Sequence, residues 1–290
     1  MNPYRQLVSD LIRLTRTGQT CPLGGLPVTP SPVRPPSTPR ALIFSPHPDD
    51  ECLTGGLALR LHRESALHIL NVAVTLGSNR ARQAERLLEL QQACAWLGFG
   101  LLPTAPRGLE HINAAARQTD PAAWSQSVSV IADILRREQP KVIFLPHEQD
   151  WNVTHIGTHL LVLDALKSLP PEFTCYTVET EFWGAMTTPN LLVESAANDV
   201  ADLMAATSFH VGEVRRNPYH LRLPAWLQDN VRRGGELVGG QGGTAPDFNF
   251  ATLYRLRQWQ AGGFQYFYAG GRVLTRQTNP RELFPQPQTQ

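Results

Sequence analysis

Five short apolar runs, set apart by longer amphipathic stretches, define the pattern of this chain. Ala41–Ser45 (ALIFS), His68–Thr75 (HILNVAVT), Phe99–Leu102, Lys141–Leu145 (KVIFL) and Phe173–Val178 are four to eight residues long, the length of strands rather than of buried helices. Between them, Glu51–Arg63, Arg80–Leu97, Ala122–Arg137 and Thr154–Leu169 repeat their apolar positions at helical spacing. Gly98 is suited to end the second of these and Pro170-Pro171 the last. Apolar strands alternating with amphipathic helices predict a mostly parallel sheet covered on both faces, a Rossmann-like three-layer α/β core.

The ends of the chain read differently. Pro3–Arg16 carries Leu7, Leu11 and Leu14 on one side of a predicted helix, and Cys21–Pro39 holds seven prolines, which favour an extended arm. Residues 1–39 are therefore expected to be a helix and arm, and 40–283 a single α/β domain with its core at 40–193. In the extension 194–283 the pattern weakens, and irregular structure is expected there. A helix is predicted around Asp199–Arg215, and a hairpin over Phe264–Thr275 around Gly270-Gly271. Six glycines in Gly234–Thr244 predict a mobile segment at the mouth of the pocket. Residues 284–290, rich in Pro and Gln, are expected to fray.

Composition narrows the class. The chain has 290 residues, is 42% hydrophobic and carries a formal net charge of +1, which argues against a general binder of nucleic acid or membranes. No stretch is long and apolar enough to span a bilayer, and the N-terminus lacks a signal-type apolar run. Four cysteines with no CxxC pair fit a reducing compartment, so a cytoplasmic protein is expected, with self-association left open.

The chemistry gathers at two strand ends. The first strand runs into Pro46-His47-Pro48-Asp49-Asp50-Glu51. Helix capping would account for one or two acids but not for His47 between two prolines. Beyond the carboxyl end of a strand, where α/β proteins bind ligands, a His and an Asp can share a metal while a neighbouring Asp acts as a base. A second cluster, Pro146 to His159, follows the strand Lys141–Leu145 and opens a helix in the same way. Two such clusters in one parallel sheet face the same edge, so His47, Asp50 and a histidine from the second loop would make a three-ligand centre with an open position. From the residues alone that histidine could be His147, His155 or His159. A dinucleotide fold is disfavoured, because three adjacent acids stand where the glycine loop for pyrophosphate would be needed.

The combined pattern resembles the PIG-L/LmbE family of zinc-dependent N-deacetylases, which act on N-acetylglucosaminyl groups. Its first motif, (A/P)HPDDE, stands complete at Pro46–Glu51, and its second, H-x-D-H or a variant, corresponds to Asn152-Val153-Thr154-His155. The resemblance covers about Arg40 to Val193. It implies that His47, Asp50 and His155 hold zinc or another divalent cation, that Asp49 is the general base, and that His159 lies one turn too far along. Arg86-Leu87-Leu88-Glu89 is similar to the family's helix after the second strand, which implies a substrate contact for Arg86. Asn152 replaces the motif's first histidine. It can donate a hydrogen bond to an oxyanion but cannot shuttle a proton, so Asp49 would serve as both base and acid. Thr154 replaces the motif's acid and removes a group that could orient a ligand histidine. The implied activity is hydrolysis of the N-acetyl group of an N-acetylglucosamine-type sugar or conjugate, a small-molecule substrate. The alternatives are a non-catalytic sugar-binding relative and an amidase acting on a sugar-thiol conjugate.

Overall fold

A computed structural model describes residues 2–28 and 34–285; part of the proline-rich arm and the last five residues of the tail lie outside them. After an N-terminal helix, α1 (Tyr4–Gly18), the chain enters the sheet at β1 (Arg40–Ser45). It continues through α2 (Asp50–Leu53), α3 (Gly56–Glu64), β2 (His68–Ala73), α4 (Gln83–Leu97) and β3 (Gly100–Pro103). It then crosses back through α5 (Ala114–Thr119) and α6 (Pro121–Glu138) to β4 (Val142–Pro146), α7 (Val153–Lys167) and β5 (Cys175–Thr180). These five strands are parallel, in the order β3-β2-β1-β4-β5. The order reverses between β1 and β4, and at such a switch point the loops leaving the two strands part to opposite sides and open a crevice. Both chemical clusters leave the sheet there.

The inner strands β1, β2, β4 and β5 are buried on both faces because their residues alternate between two apolar layers. Ala41 and Ile43 pack with Leu57, Leu61 and Leu90 of α3 and α4, while Leu42 packs with Ile131, Leu135, Leu161 and Val162 of α6 and α7. Helix ends are fixed by local signals. Asp120 accepts from the backbone N–H of Ala123 with Pro121 at the first position of α6, and Gly98 ends α4 at φ 76°.

The C-terminal third is more regular than its pattern suggests. β6 (Leu191–Glu194), α8 (Ala197–Ser208), α9 (Val211–Arg216) and α10 (Leu223–Leu237) lead into a ten-residue strand, β7 (Ala251–Gln260). β7 pairs antiparallel with both β5 and β6 and so extends the sheet. The charges that obscured β7 are neutralised across the ladder, where Arg255 lies opposite Glu179 and bonds it at 2.6 Å, and Arg257 reaches the same carboxylate at 2.7 Å. The expected single helix at Asp199–Arg215 is instead α8 and α9, broken at His210. The expected hairpin at Gly270-Gly271 is displaced: β7 turns at Ala261-Gly262 into β8 (Gly263–Gln265), and β9 (Arg272–Leu274) pairs with β6.

The glycine-rich segment begins inside a helix, where a wholly mobile loop was expected. Gly234 and Gly235 are buried within α10, where a Cβ would come 2.5 Å from Leu192 and 2.9 Å from the Ala245 backbone. These glycines permit close packing over β6 and β7 and do not border the crevice. Phe284, at the start of the expected frayed tail, is buried against Tyr176, whose hydroxyl donates to the Pro285 carbonyl at 2.7 Å.

Candidate active site

The turn after β1 is folded tightly around its own acids. The His47 N–H donates to Asp50 Oδ2 at 2.8 Å, and the Asp49 N–H donates to Glu51 Oε2 at 2.9 Å. Asp49 pays for this geometry with a left-handed backbone, φ 109°, a strained state for a non-glycine residue of the kind that collects at functional sites. From outside, Thr75 Oγ1 donates to the Pro46 carbonyl at 2.7 Å and Arg86 Nη2 to the Pro48 carbonyl at 2.9 Å. Glu51 is buried and receives His210 Nε2 at 2.6 Å.

The second strand end supplies His155 in the first turn of α7. Asn152 caps this helix, its Oδ1 accepting from the N–H groups of Thr154 and His155. Gly157 lets the helix approach the 112–113 backbone, since a Cβ there would lie 2.3 Å from the Ile112 carbonyl oxygen. The result is a compact triangle. His155 Nε2 is 3.3 Å from His47 Nδ1 and 3.3 Å from Asp50 Oδ2, and His47 Nδ1 is 3.5 Å from Asp50 Oδ2. Ligands about 2.0–2.1 Å from a tetrahedral ion stand roughly 3.3–3.4 Å apart, so these three atoms fit such an ion.

Electrostatics support the same fit. Burial favours the neutral form of His155, but Asp50 and Asp150 outweigh it and raise the ring to about 10. Burial likewise favours neutral Asp50, yet His155 and His47 hold that carboxyl well below the ordinary range. Positive charge is favoured among these three side chains, and a proton or a divalent cation can supply it. Behind His155, Asp150 Oδ2 stands 3.6 Å from Nδ1, so a carboxylate backs the ring.

Two further clusters of potential ligands occur among the described residues. Glu51, Cys52 and His210 are closed by their own hydrogen bonds, and Glu148, His159 and Glu179 carry arginines across both carboxylates. The other two candidate histidines are engaged elsewhere: His147 Nε2 is 2.8 Å from the Gly184 carbonyl and His159 Nδ1 is 2.9 Å from that of Pro146.

Asp49 stands beside the triangle. Burial and the neighbouring Asp50 raise it to about 7, against the lowering influence of His210, Tyr219 and Arg86. Tyr219 donates its hydroxyl proton to Asp49 Oδ2. A cavity of about 410 Å³ opens here, lined by His47, Asp49, Arg86, Asn152 and two exposed aromatic residues, Trp151 and Trp183. A second lobe of about 260 Å³ lies on the other side of His47, against Thr154 and His111.

The family model described as PIG-L, GlcNAc-PI de-N-acetylase, matches residues 42–166. That similarity covers less than half of the chain. No curated protein matches the chain. Among solved structures, N,N'-diacetylchitobiose deacetylase from Pyrococcus horikoshii is 14% identical with a TM-score of 0.56, over 90% of this chain and 94% of its own. Teicoplanin deacetylase, solved in a zinc-inhibited form, is 17% identical with a TM-score of 0.52, over 76% of this chain and 98% of its own. A 4-carboxy-2-hydroxymuconate hydratase from Pseudomonas putida is 17% identical with a TM-score of 0.54, over 76% of this chain and 96% of its own. These likenesses are of fold, and a hydratase shares that fold with two deacetylases, so activity has to be argued from the site.

The matched stretch, residues 42–166, contributes His47, Asp49, Asp50, Arg86, Asn152 and His155. Sequence reasoning missed Asp150, Trp183, His210 and Tyr219. Asp150 stood in the second cluster without a role, whereas Trp183, His210 and Tyr219 lie beyond residue 166, where only the fold brings them to the crevice.

Proposed function

We propose that the protein is a metal-dependent hydrolase that removes the N-acetyl group from an N-acetylglucosamine-type sugar or its conjugate. The observation that carries this reading is the triangle of His47, Asp50 and His155 beside Asp49, opening on a cavity walled by two tryptophans. A divalent cation held by the triangle would supply Lewis-acid polarisation of the amide carbonyl and acidify water at the site. Asp49 accepts the proton of the attacking water as the oxygen bonds to the acyl carbon, with Tyr219 engaging Oδ2 and leaving Oδ1 for that proton. The Oδ1 of Asn152 is committed to the cap of α7, which leaves its Nδ2 as the donor toward the developing oxyanion. As the C–N bond breaks, Asp49 returns the proton to the leaving amine. Trp151 and Trp183 offer flat apolar faces for a sugar ring, and Arg86 borders the same cavity as a polar contact.

The test is release of free amine and acetate from N-acetylglucosamine and N,N'-diacetylchitobiose by protein loaded with zinc or cobalt. Turnover that requires the metal and is lost in His155→Ala supports the reading. Stoichiometric metal and sugar binding without amine release would favour a non-catalytic binding relative.

A further inference from the structure

The N-terminal helix α1 has an apolar face that no described residue buries. Tyr4, Leu7, Val8, Leu11, Ile12 and Leu14 are each between 50% and 68% exposed, and no residue of the helix is buried. At 100° per residue these six side chains fall within an arc of about 160°, while Arg5, Gln6, Ser9, Asp10, Arg13 and Arg16 fill the remainder. Thr15 is the one polar side chain inside the arc, and its hydroxyl is turned back onto the Leu11 carbonyl at 3.0 Å. Arg5 and Arg16 stand along one border of the apolar arc, next to Ile12, and form no ion pair among the described residues; Asp10 is bound by Arg13 at 2.8 Å. No helix among the described residues is long and apolar enough to cross a membrane.

We propose that α1 is an interfacial anchor that lays this face into the surface of an anionic phospholipid bilayer. A face of this width bordered by arginines suits the boundary between acyl chains and headgroups: the leucines enter the apolar layer, and the border arginines extend to the phosphates. Charge favours this occupant over an antiparallel second copy of the chain. Antiparallel pairing of two such helices would set the Arg5–Arg16 border against itself, because like edges meet in that arrangement. The helix is also fastened to the body. Gly18 packs so closely on Leu221 that a Cβ would lie 2.8 Å from its Cδ2, and Arg222 borders a groove with Val8, Leu11 and Ile12. Leu221 ends the short turn that begins at Tyr219, the residue bonded to Asp49. The anchor is thus attached beside the wall of the crevice, and its role stands independently of the reaction proposed for the site.

Co-sedimentation of the full chain with vesicles tests this. The chain is expected to bind phosphatidylcholine–phosphatidylserine vesicles and to bind phosphatidylcholine alone more weakly, with the difference shrinking at high salt. Leu7→Glu with Leu11→Glu should abolish binding. Arg5→Gln with Arg16→Gln should weaken it about thirtyfold at low salt, on the basis of roughly fivefold per arginine near a charged surface. All four side chains are exposed, so both double variants should keep the parental melting temperature. Absence of binding to either vesicle would overturn the proposal, and equal affinity for the two would overturn its anionic part. A dimer in light scattering that Leu7→Glu with Leu11→Glu dissolves, without vesicle binding, would assign the face to a second copy instead.

Discussion

Replacing Tyr219 by Phe tests whether Asp49 is the base and whether the C-terminal third takes part in the chemistry. The substitution removes one hydroxyl that donates to Asp49 Oδ2 and leaves the ring, which meets Trp183 edge-on with centroids 5.8 Å apart. A hydrogen bond to a charged group contributes about 1.5–3 kcal/mol. Its loss falls mainly on the ionised form of Asp49, the form the bond stabilises, so the Asp49 pKa should rise by about one to two units, at about 1.4 kcal/mol per unit. The base works only when deprotonated, so activity is present above its pKa and lost as the pH falls through it. Asp49 is held near 7 by burial and Asp50, and a divalent cation beside Asp50 lowers it further, so the acid limb of the parent enzyme should lie below neutrality. In Tyr219→Phe that limb should move up by about one to two units. Rates should fall about 10- to 100-fold on the acid side and recover toward alkaline pH, where the variant's Asp49 is ionised again. Metal content should not change, because Tyr219 touches none of the three proposed ligands. The assay is kcat/KM against pH for the metal-loaded enzyme, with metal measured by elemental analysis. A parental pH profile in Tyr219→Phe would refute the reasoning, and so would a uniform loss of rate at every pH.

Two further outcomes follow from the division of labour among the acids. Asp49→Asn should keep the metal and lose at least about a hundredfold in rate, the smaller end of a general base's contribution. Asp50→Asn should lose metal, as should His47→Ala and His155→Ala, whereas His159→Ala should retain it; elemental analysis separates these cases. Asp150→Asn removes the carboxylate 3.6 Å behind His155 Nδ1, so metal affinity in competition with a chelator should drop about 10- to 100-fold while the fold is retained.

How much of this could be read from the chain depends on where each residue finds its partner. The parallel core was legible because strands buried on both faces appear as unbroken apolar runs, and Ala41–Ser45 is one. The turn at Pro46–Glu51 was legible because its contacts are local: the Asp50 carboxylate answers the N–H of His47, three residues away. β7 was hidden because its polar positions are satisfied across the sheet. Arg255 and Arg257 read as solvent-facing charges until Glu179, 76 and 78 residues distant, is set beside them. The glycines at 234 and 235 misled for a related reason. A glycine chosen for flexibility and one chosen for close approach look alike in sequence, and only the neighbouring Leu192 and Ala245 distinguish them.

The same distinction bears on specificity. The triangle is assembled at the switch point between β1 and β4, within residues 42–166, by the turns that follow these two strands. Arg86 and Trp151 of the crevice wall belong to the same stretch, but Trp183 beside them and the Tyr219 hydroxyl that bonds Asp49 come from beyond residue 166. Trp183 follows β5, while His210 and Tyr219 sit at the end of α8 and just after α9. Helices α8 and α9 meet where His210 is drawn in to bond Glu51, and the next turn carries Tyr219 onto Asp49. A fold shared by deacetylases and a hydratase can keep the turns after β1 and β4 and change its chemistry by changing what this segment presents. Residues 181–219 are therefore the stretch in which differences of reaction and substrate between this chain and its structural neighbours should be concentrated.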